Sequence, residues 1–253
     1  MRQFQDKKVL ITGGSRGIGK CIAKAFADQG ARVAINYRSN GAAAADCLRE
    51  LGGKGNIALQ ADIADPAQAA LLVEDAIKGL GGLDIVVNNA GIYLLHPLAS
   101  VAFSDWNAAW RQTIDTNLLA AASICYCAAQ YMMQHGGGRI VNVSSRGAFR
   151  GEPDGPAYGA SKAGLNALSQ SLALALAPHD IFVGVVAPGF VETDMAAEWL
   201  EGERGDAIRA QSPLGRVARP EEVAHAVLFL ASPGAEFTTG TIIDVNGASY
   251  LRS

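Results

Sequence analysis

Two periods of apolar and polar residues alternate along this chain. Short runs rich in apolar and β-branched residues, bounded by Gly, Asn or Pro, recur at 9–12, 31–36, 56–60, 83–87, 139–143, 181–186 and 241–245 and have strand length. Between them, 17–29, 41–51, 66–80, 105–134, 157–177 and 220–231 carry apolar residues at helical spacing. Pro66 and Pro220 follow Asp65 and Arg219 and suit a first helical turn, where the missing amide hydrogen costs little. Repeated strand–helix–strand units, with strands apolar enough to be covered on both faces, predict an α/β fold with a doubly wound, seven-stranded parallel sheet and helices on both sides. Ligands of such sheets bind beyond the carboxyl ends of the strands, where the strand order reverses.

Composition narrows the partners. No stretch rich in Pro, Ser or charge divides the 253 residues, so a single domain over 1–253 is expected. The formal charge of −3 and the lack of a basic block give no footprint for nucleic acid or an anionic membrane, which leaves a small neutral or acidic metabolite. Near the start, Asp6, Lys7 and Lys8 precede only the short apolar run Val9-Leu10-Ile11, too short for a signal-peptide core or a membrane span, and a cytosolic protein is expected. Cys21, Cys47, Cys125 and Cys127 lack the C-x-x-C spacing of zinc or redox sites and read as buried thiols. The histidines, His96, His135, His179 and His225, are scattered without ligand spacing, and no metal is expected.

Chemistry enters at the loop after the first strand. Thr12-Gly13-Gly14-Ser15-Arg16-Gly17-Ile18-Gly19 opens the first helix, where backbone amides and a helix N-terminus can receive a pyrophosphate. Glycines at 13, 17 and 19 depart from the G-x-G-x-x-G fingerprint, so the loop alone also fits a plain turn. Gly14 to Lys20 further satisfies the G-x-x-x-x-G-K of a triphosphatase. Against that, Cys21 stands where a magnesium site needs Ser or Thr, and the strand at 83–87 runs into Asn88 rather than Asp. The second strand ends Asn36-Tyr37-Arg38-Ser39. It lacks the acid that would hold the ribose hydroxyls of NAD, while Arg38, with Arg16 in the loop, offers guanidinium forks to a 2′-phosphate; NADP(H) is therefore expected. Tyr158 and Lys162 share one helical face four residues apart, and a fixed ammonium there is expected to lower the phenol pKa and make an acid or base near neutral pH. Ser145 lies thirteen residues upstream of Tyr158.

The glycine loop, Asn88-Asn89-Ala90-Gly91, Ser145, the Tyr158/Lys162 pair and Pro188-Gly189 occur in an order that resembles the short-chain dehydrogenase/reductase family across essentially the whole chain. Pro188-Gly189-Phe190-Val191-Glu192-Thr193-Asp194-Met195 and the tail Thr239-Gly240 to Val245-Asn246-Gly247 look most like its 3-oxoacyl-(acyl carrier protein) reductase branch. The resemblance implies a Rossmann-type fold and no metal. Tyr158 would donate a proton to the carbonyl oxygen during reduction and retrieve it during oxidation. Lys162 would tune Tyr158 and hydrogen-bond the nicotinamide ribose, and Ser145 would hold the substrate oxygen; Ser144 takes that place if the register slips by one. Asn117, in the long helix, would position a water leading from Lys162 to solvent. The implied cofactor set is Gly13, Ser15, Arg16, Gly17, Ile18 and Gly19, with Arg38 and Ser39 after the second strand, and Asp62, facing the adenine, with Ile63 after the third. Asn89, Ala90 and Gly91 follow the fourth strand; Pro188, Gly189, Val191 and Thr193, the last meeting the carboxamide, follow the sixth. Nucleophilic catalysis by Ser145 is disfavoured, since no glycine-flanked elbow surrounds it.

The substrate is less legible. Arg146, Phe149, Glu152 and Pro153, with residues 93–96 from Tyr93 to His96, are expected to line the pocket, Arg146 being able to read a substrate carboxylate; residues 196–211, within a segment of about 190–215, read as a lid. The helix at 157–177 carries Leu165, Leu168, Leu172, Leu174 and Leu176 and is apolar nearly all round, which fits deep burial or cover by a second copy; the family habit implies a homotetramer. In the carrier-protein reductases that resemble this chain, arginines near two helix ends dock the acidic carrier. Here the matching stretches read Met132-Met133-Gln134-His135-Gly136 and Leu174-Ala175-Leu176-Ala177-Pro178-His179, with no arginine. The reading is an NADP(H)-dependent oxidoreductase interconverting a small ketone and a secondary alcohol. A 3-oxoacyl-(acyl carrier protein) reductase is the alternative, and a non-catalytic NADP sensor is disfavoured because both Tyr158 and Lys162 are present.

Overall fold

The computed structural model describes residues 2–252. Seven parallel strands, β1 Lys8–Ile11, β2 Arg32–Tyr37, β3 Ile57–Gln60, β4 Ile85–Asn88, β5 Gly138–Val143, β6 Ile181–Pro188 and β7 Ile242–Val245, form one sheet in the order β3-β2-β1-β4-β5-β6-β7. Val9 of β1 pairs with Val33 on one side and Ile85 on the other, so the order reverses between β1 and β4. Alternate strand residues face opposite layers. Val9 and Ile11 join the core beneath α1 (Gly17–Asp28), α2 (Gly41–Glu50) and α9 (Pro220–Ala231). Leu10, between them, points into the other core, beneath α3 (Pro66–Leu80), α5 (Ala120–Gln134) and α7 (Pro156–Leu176). Leu10, Ile11, Val33, Ile35, Val86 and Val87 are all fully enclosed. Burying each such side chain contributes about 1.5–3 kcal/mol, which is why these strands read as unbroken apolar runs.

The expected helix at 105–134 is interrupted. It begins as α4 at Phe103–Ile114, widens into one π-helical turn at Asp115–Leu119, and continues as α5. Two short helices absent from the sequence reading follow: α6 at Gly147–Arg150, and α8 at Gly202–Arg209 after a 3-10 turn at Asp194–Leu200 in the expected lid. The side chain of Met195 lies outside the described residues. No helix among the described residues is long and apolar enough to cross a membrane. Cys47 and Cys125 are buried as expected, whereas Cys21 and Cys127 are half-buried.

One buried polar chain fixes α7 against the sheet. Asn88 Nδ2 donates to Asn142 Oδ1 (2.9 Å), Asn142 Nδ2 donates to Ser169 Oγ (2.7 Å), and Ser169 Oγ donates to the Leu165 carbonyl (2.6 Å). These bonds tie β4, β5 and α7 in one register, which sets the height of the helix that carries Tyr158 and Lys162.

Candidate active site

The loops at the carboxyl ends of β1, β4, β5 and β6 converge. Gly13 has φ +61°, and a Cβ there would lie 3.0 Å from Ala90 Cα; a Cβ at Gly19 would overlap the Gly13 carbonyl and crowd Asn89 Nδ2. Only bare backbone lets α1 start this close to the β4 loop. Asn89 Nδ2 donates to the carbonyls of Thr12 (2.9 Å) and Gly13 (3.2 Å), and Thr12 Oγ1 accepts from the amides of Asn89 and Ala90, each at 3.0 Å. Asn36, buried at the end of β2, accepts from Gly13 N (3.4 Å) and donates to the Ala61 carbonyl (3.1 Å), so β2 and the β3 loop hold the same turn. The result is a glycine-walled cleft at the opening of α1, suited to a pyrophosphate.

The other expected cofactor residues border this cleft or its walls. Arg16, Arg38 and Ser39 are exposed, and neither arginine has an ion-pair partner among the described residues. Ser15, Gly17 and Ile18 are half-buried at the loop, Ile18 packing on the core. Asp62 uses one carboxylate oxygen on Ala64 N (3.2 Å), and Ile63 is buried beside it. Beyond β6, Gly189 N donates to the Val245 carbonyl (3.0 Å), Pro188 and Val191 are buried, and Thr193 swings over the glycine loop. A Cβ at Gly17 would lie 3.5 Å from Thr193 Cγ2. Val191 turns its side chain into the core rather than the cleft.

The serine pair separates cleanly. Ser145, two residues past β5, stands close enough to the Tyr158 hydroxyl to hold its pKa down, and its Oγ accepts from Gly147 N (3.0 Å). Ser144 is buried and donates to the Lys162 carbonyl (3.3 Å), so it belongs to the helix support. Lys162 is buried, and its Nζ donates to the Val143 carbonyl (2.8 Å) and lies 5.8 Å from the Tyr158 ring centroid. Asn117 sits in the π-turn, where one extra residue per turn redirects the side chain. Its Oδ1 accepts from Ile92 N (2.8 Å) and its Nδ2 donates to the Ile92 carbonyl (3.0 Å) and Ser161 Oγ (3.1 Å). Gly91 leaves room for both: a Cβ there would lie 3.3 Å from Asn117 Oδ1 and 3.4 Å from Lys162 Nζ.

Electrostatics differ from the sequence expectation. Burial pushes the Tyr158 phenol up; the Ser145 hydroxyl opposes this and the Glu152 carboxylate adds to it. Burial also pulls the Lys162 ammonium down to about 8. The expected lowering of Tyr158 by Lys162 is therefore not what this structure shows, because desolvation of the phenol is the largest influence and sets the direction.

Of the expected pocket residues, Tyr93 and Glu152 stand at the site. The Tyr93 ring lies 5.0 Å from the Tyr158 ring and 5.8 Å from the Trp199 ring, and burial, with the Glu152 carboxylate adding to it, pushes its phenol up to about 12. Burial raises the Glu152 carboxyl above its ordinary value, and Arg150 and Arg146 oppose the rise. Trp199 was not singled out from the sequence, although an indole in an otherwise small and charged segment was the available signal. Pro153 is exposed, while the Phe149 ring lies beneath the Arg252 guanidinium, 4.5 Å from its centroid. Arg146 does not face the reacting groups. It is buried and donates to Ser249 Oγ (2.6 Å), so its expected place in the pocket is corrected. His96 also turns inward: its Nε2 accepts from Ala157 N (3.2 Å), Nδ1 donates to the Leu94 carbonyl (2.9 Å), and it holds the first turn of α7.

Comparison with known proteins agrees with this geometry. The family described as enoyl-(acyl carrier protein) reductase matches residues 13–248. The chain is 39% identical over 249 residues to a 3-oxoacyl-(acyl carrier protein) reductase of Escherichia coli, covering 98% of this chain and 99% of the relative. It is 38% identical over 257 residues to an L-rhamnose 1-dehydrogenase (NAD(P)(+)) of a Sphingomonas species, covering 100% and 99%. Among solved structures, a short-chain dehydrogenase from Burkholderia cenocepacia in complex with NADP superposes with a TM-score of 0.88 at 36% identity, covering 98% and 99%.

Proposed function

The chain belongs to the short-chain dehydrogenase/reductase family of oxidoreductases, and on that premise we propose that it is an NADP(H)-dependent enzyme interconverting a small ketone and a secondary alcohol. The observation that carries this reading is the gathering of Ser145, Tyr158 and the buried Lys162 at the carboxyl end of the sheet, with Lys162 Nζ held on the Val143 carbonyl (2.8 Å) and 5.8 Å from the Tyr158 ring centroid, beside the glycine loop. The glycine loop fits the cofactor, since bare backbone at Gly13 and Gly19 lets α1 open directly against the β4 loop, and Arg16 and Arg38 are exposed nearby with no ion-pair partner among the described residues. Bound there, NADPH supplies the hydride.

The protein's own groups supply the rest. Ser145 orients the carbonyl oxygen and Tyr158 delivers a proton to it as negative charge develops. A phenol raised by burial stays protonated at neutral pH, which favours the reductive direction; oxidation needs the phenolate and is favoured in alkali. Lys162 offers hydrogen-bond donors to the ribose side of the cleft, and Asn117, anchored at both ends to Ile92, holds the polar exit behind it. Tyr93, Glu152 and Trp199 form a wall of aromatic rings around one carboxylate, suited to a small polar substrate.

A carrier-linked 3-oxoacyl substrate is the second reading, favoured by the Escherichia coli relative. The arginine-free ends of α5 and α7 favour the free small molecule. Leu119 and Tyr126, near and on α5, and Leu174 on α7 are exposed, and a homotetramer covering them, working in the cytoplasm, completes the proposal. Separate titrations with NADPH, NADH and ATP test the cofactor: NADPH should bind tightest, and tighter NADH would overturn the Arg38 argument. Turnover of a panel of ketones, diketones and 3-oxoacyl thioesters tests the substrate.

A further inference from the structure

A cavity of about 140 Å³ lies between the lid end and the C-terminal segment, and Arg146, Ser212, Asn246 and Ser249 form part of its wall. Tyr93, Ser145, Glu152 and Tyr158 take no part in lining it. Arg146 is 5% exposed and has no salt-bridge partner among the described residues. Of its five guanidinium N–H donors, one bonds Ser249 Oγ (2.6 Å) and no other has an acceptor among the described residues, the group lying 5.5 Å from the Phe190 ring centroid; the Ser249 proton stays free to be donated onward.

The carboxylates on the same wall are already neutralised. Glu222 is gripped by Arg216 through two bonds (2.6 and 2.8 Å), and Asp244 by Arg252 (2.7 Å). Arg150 adds positive charge near Arg146, and the Glu152 carboxylate, which acts on Arg146 without a salt bridge to it, is also acted on by Arg150. A buried guanidinium with no carboxylate in contact among the described residues is costly, and a bound anion lowers that cost.

We propose that this cavity is a binding site for one small oxyanion, a phosphate, sulfate or short carboxylate, held by the Arg146 guanidinium and the Ser249 hydroxyl. The size favours a small ligand, since the cavity offers about 140 Å³. Occupancy reaches the active site through the backbone, because Arg146 N donates to the Pro188 carbonyl (2.7 Å) immediately after Ser145.

Thermal unfolding of the cofactor-free protein in inorganic phosphate or acetate, against sodium chloride of equal ionic strength, tests it. The wild type should gain about 3–5 °C for each tenfold rise above Kd. Arg146→Gln should lose this response, and Arg38→Leu should keep it, which separates the cavity from phosphate bound at the cofactor cleft. Ser249→Asp, which builds a carboxylate into the cavity, should melt higher than the wild type in chloride and ignore added phosphate. Three outcomes overturn the proposal: no response in the wild type beyond chloride, a response that survives in Arg146→Gln or Ser249→Asp, or one that disappears in Arg38→Leu.

Discussion

Replacing Lys162 by Met should make the cofactor-free protein more stable while destroying its activity. Burial pulls the ammonium from 10.5 down to about 8, and at about 1.36 kcal/mol per pH unit this is a cost of roughly 3 kcal/mol for keeping it charged. Methionine removes that cost but leaves the Val143 carbonyl without its 2.8 Å partner, a loss of about 1–3 kcal/mol. A net gain of roughly 0–2 kcal/mol at pH 7 follows. Because the folded-state pKa lies below the unfolded one, the unfolded chain binds more protons between them. Wild-type stability therefore carries the full penalty below pH 8 and recovers as pH rises toward 10.5. Urea denaturation of both proteins at pH 7 and about pH 9.5 reads this directly. The advantage of Lys162→Met should shrink by about 2 kcal/mol between the two pH values. A variant less stable than the wild type at pH 7, or a difference independent of pH, would refute the reasoning.

Arg38→Asp should weaken NADPH binding about 10- to 100-fold, as expected for losing a charge-assisted contact, and should improve NADH binding; fluorescence titration of both cofactors checks it. Asn142→Leu should lower stability by about 1–3 kcal/mol in urea denaturation, because Asn88 and Ser169 lose their shared buried partner. Ketone reduction at saturating NADPH should stay flat from about pH 6 to 8, whereas alcohol oxidation should rise about tenfold per pH unit until the raised Tyr158 pKa is reached; rate profiles in both directions test this.

The sheet was legible because its strands are covered on both faces, so Val9, Leu10 and Ile11 are all apolar and the run stands out against the amphipathic helices. Tyr158, Lys162 and Ser145 were legible as spacings, and the structure brings them together. The interruption at Asp115–Leu119 was not, since one extra residue leaves the apolar pattern intact on either side and only the reach of Asn117 to Ile92 reveals it. Helix α6, four residues long, carries too little periodicity to show. The direction of Arg146 and the upward shift of Tyr158 depend on which groups surround them in space. Ser249, 103 residues from Arg146 in sequence, is an example that no local pattern contains.

The central claim is that Tyr158 delivers the proton of a hydride transfer, and NADPH oxidation by Tyr158→Phe with an accepted ketone tests it most directly. The account predicts turnover reduced at least about 100-fold, the lower end for loss of a general acid, with NADPH affinity unchanged. Turnover near the wild-type rate would contradict it.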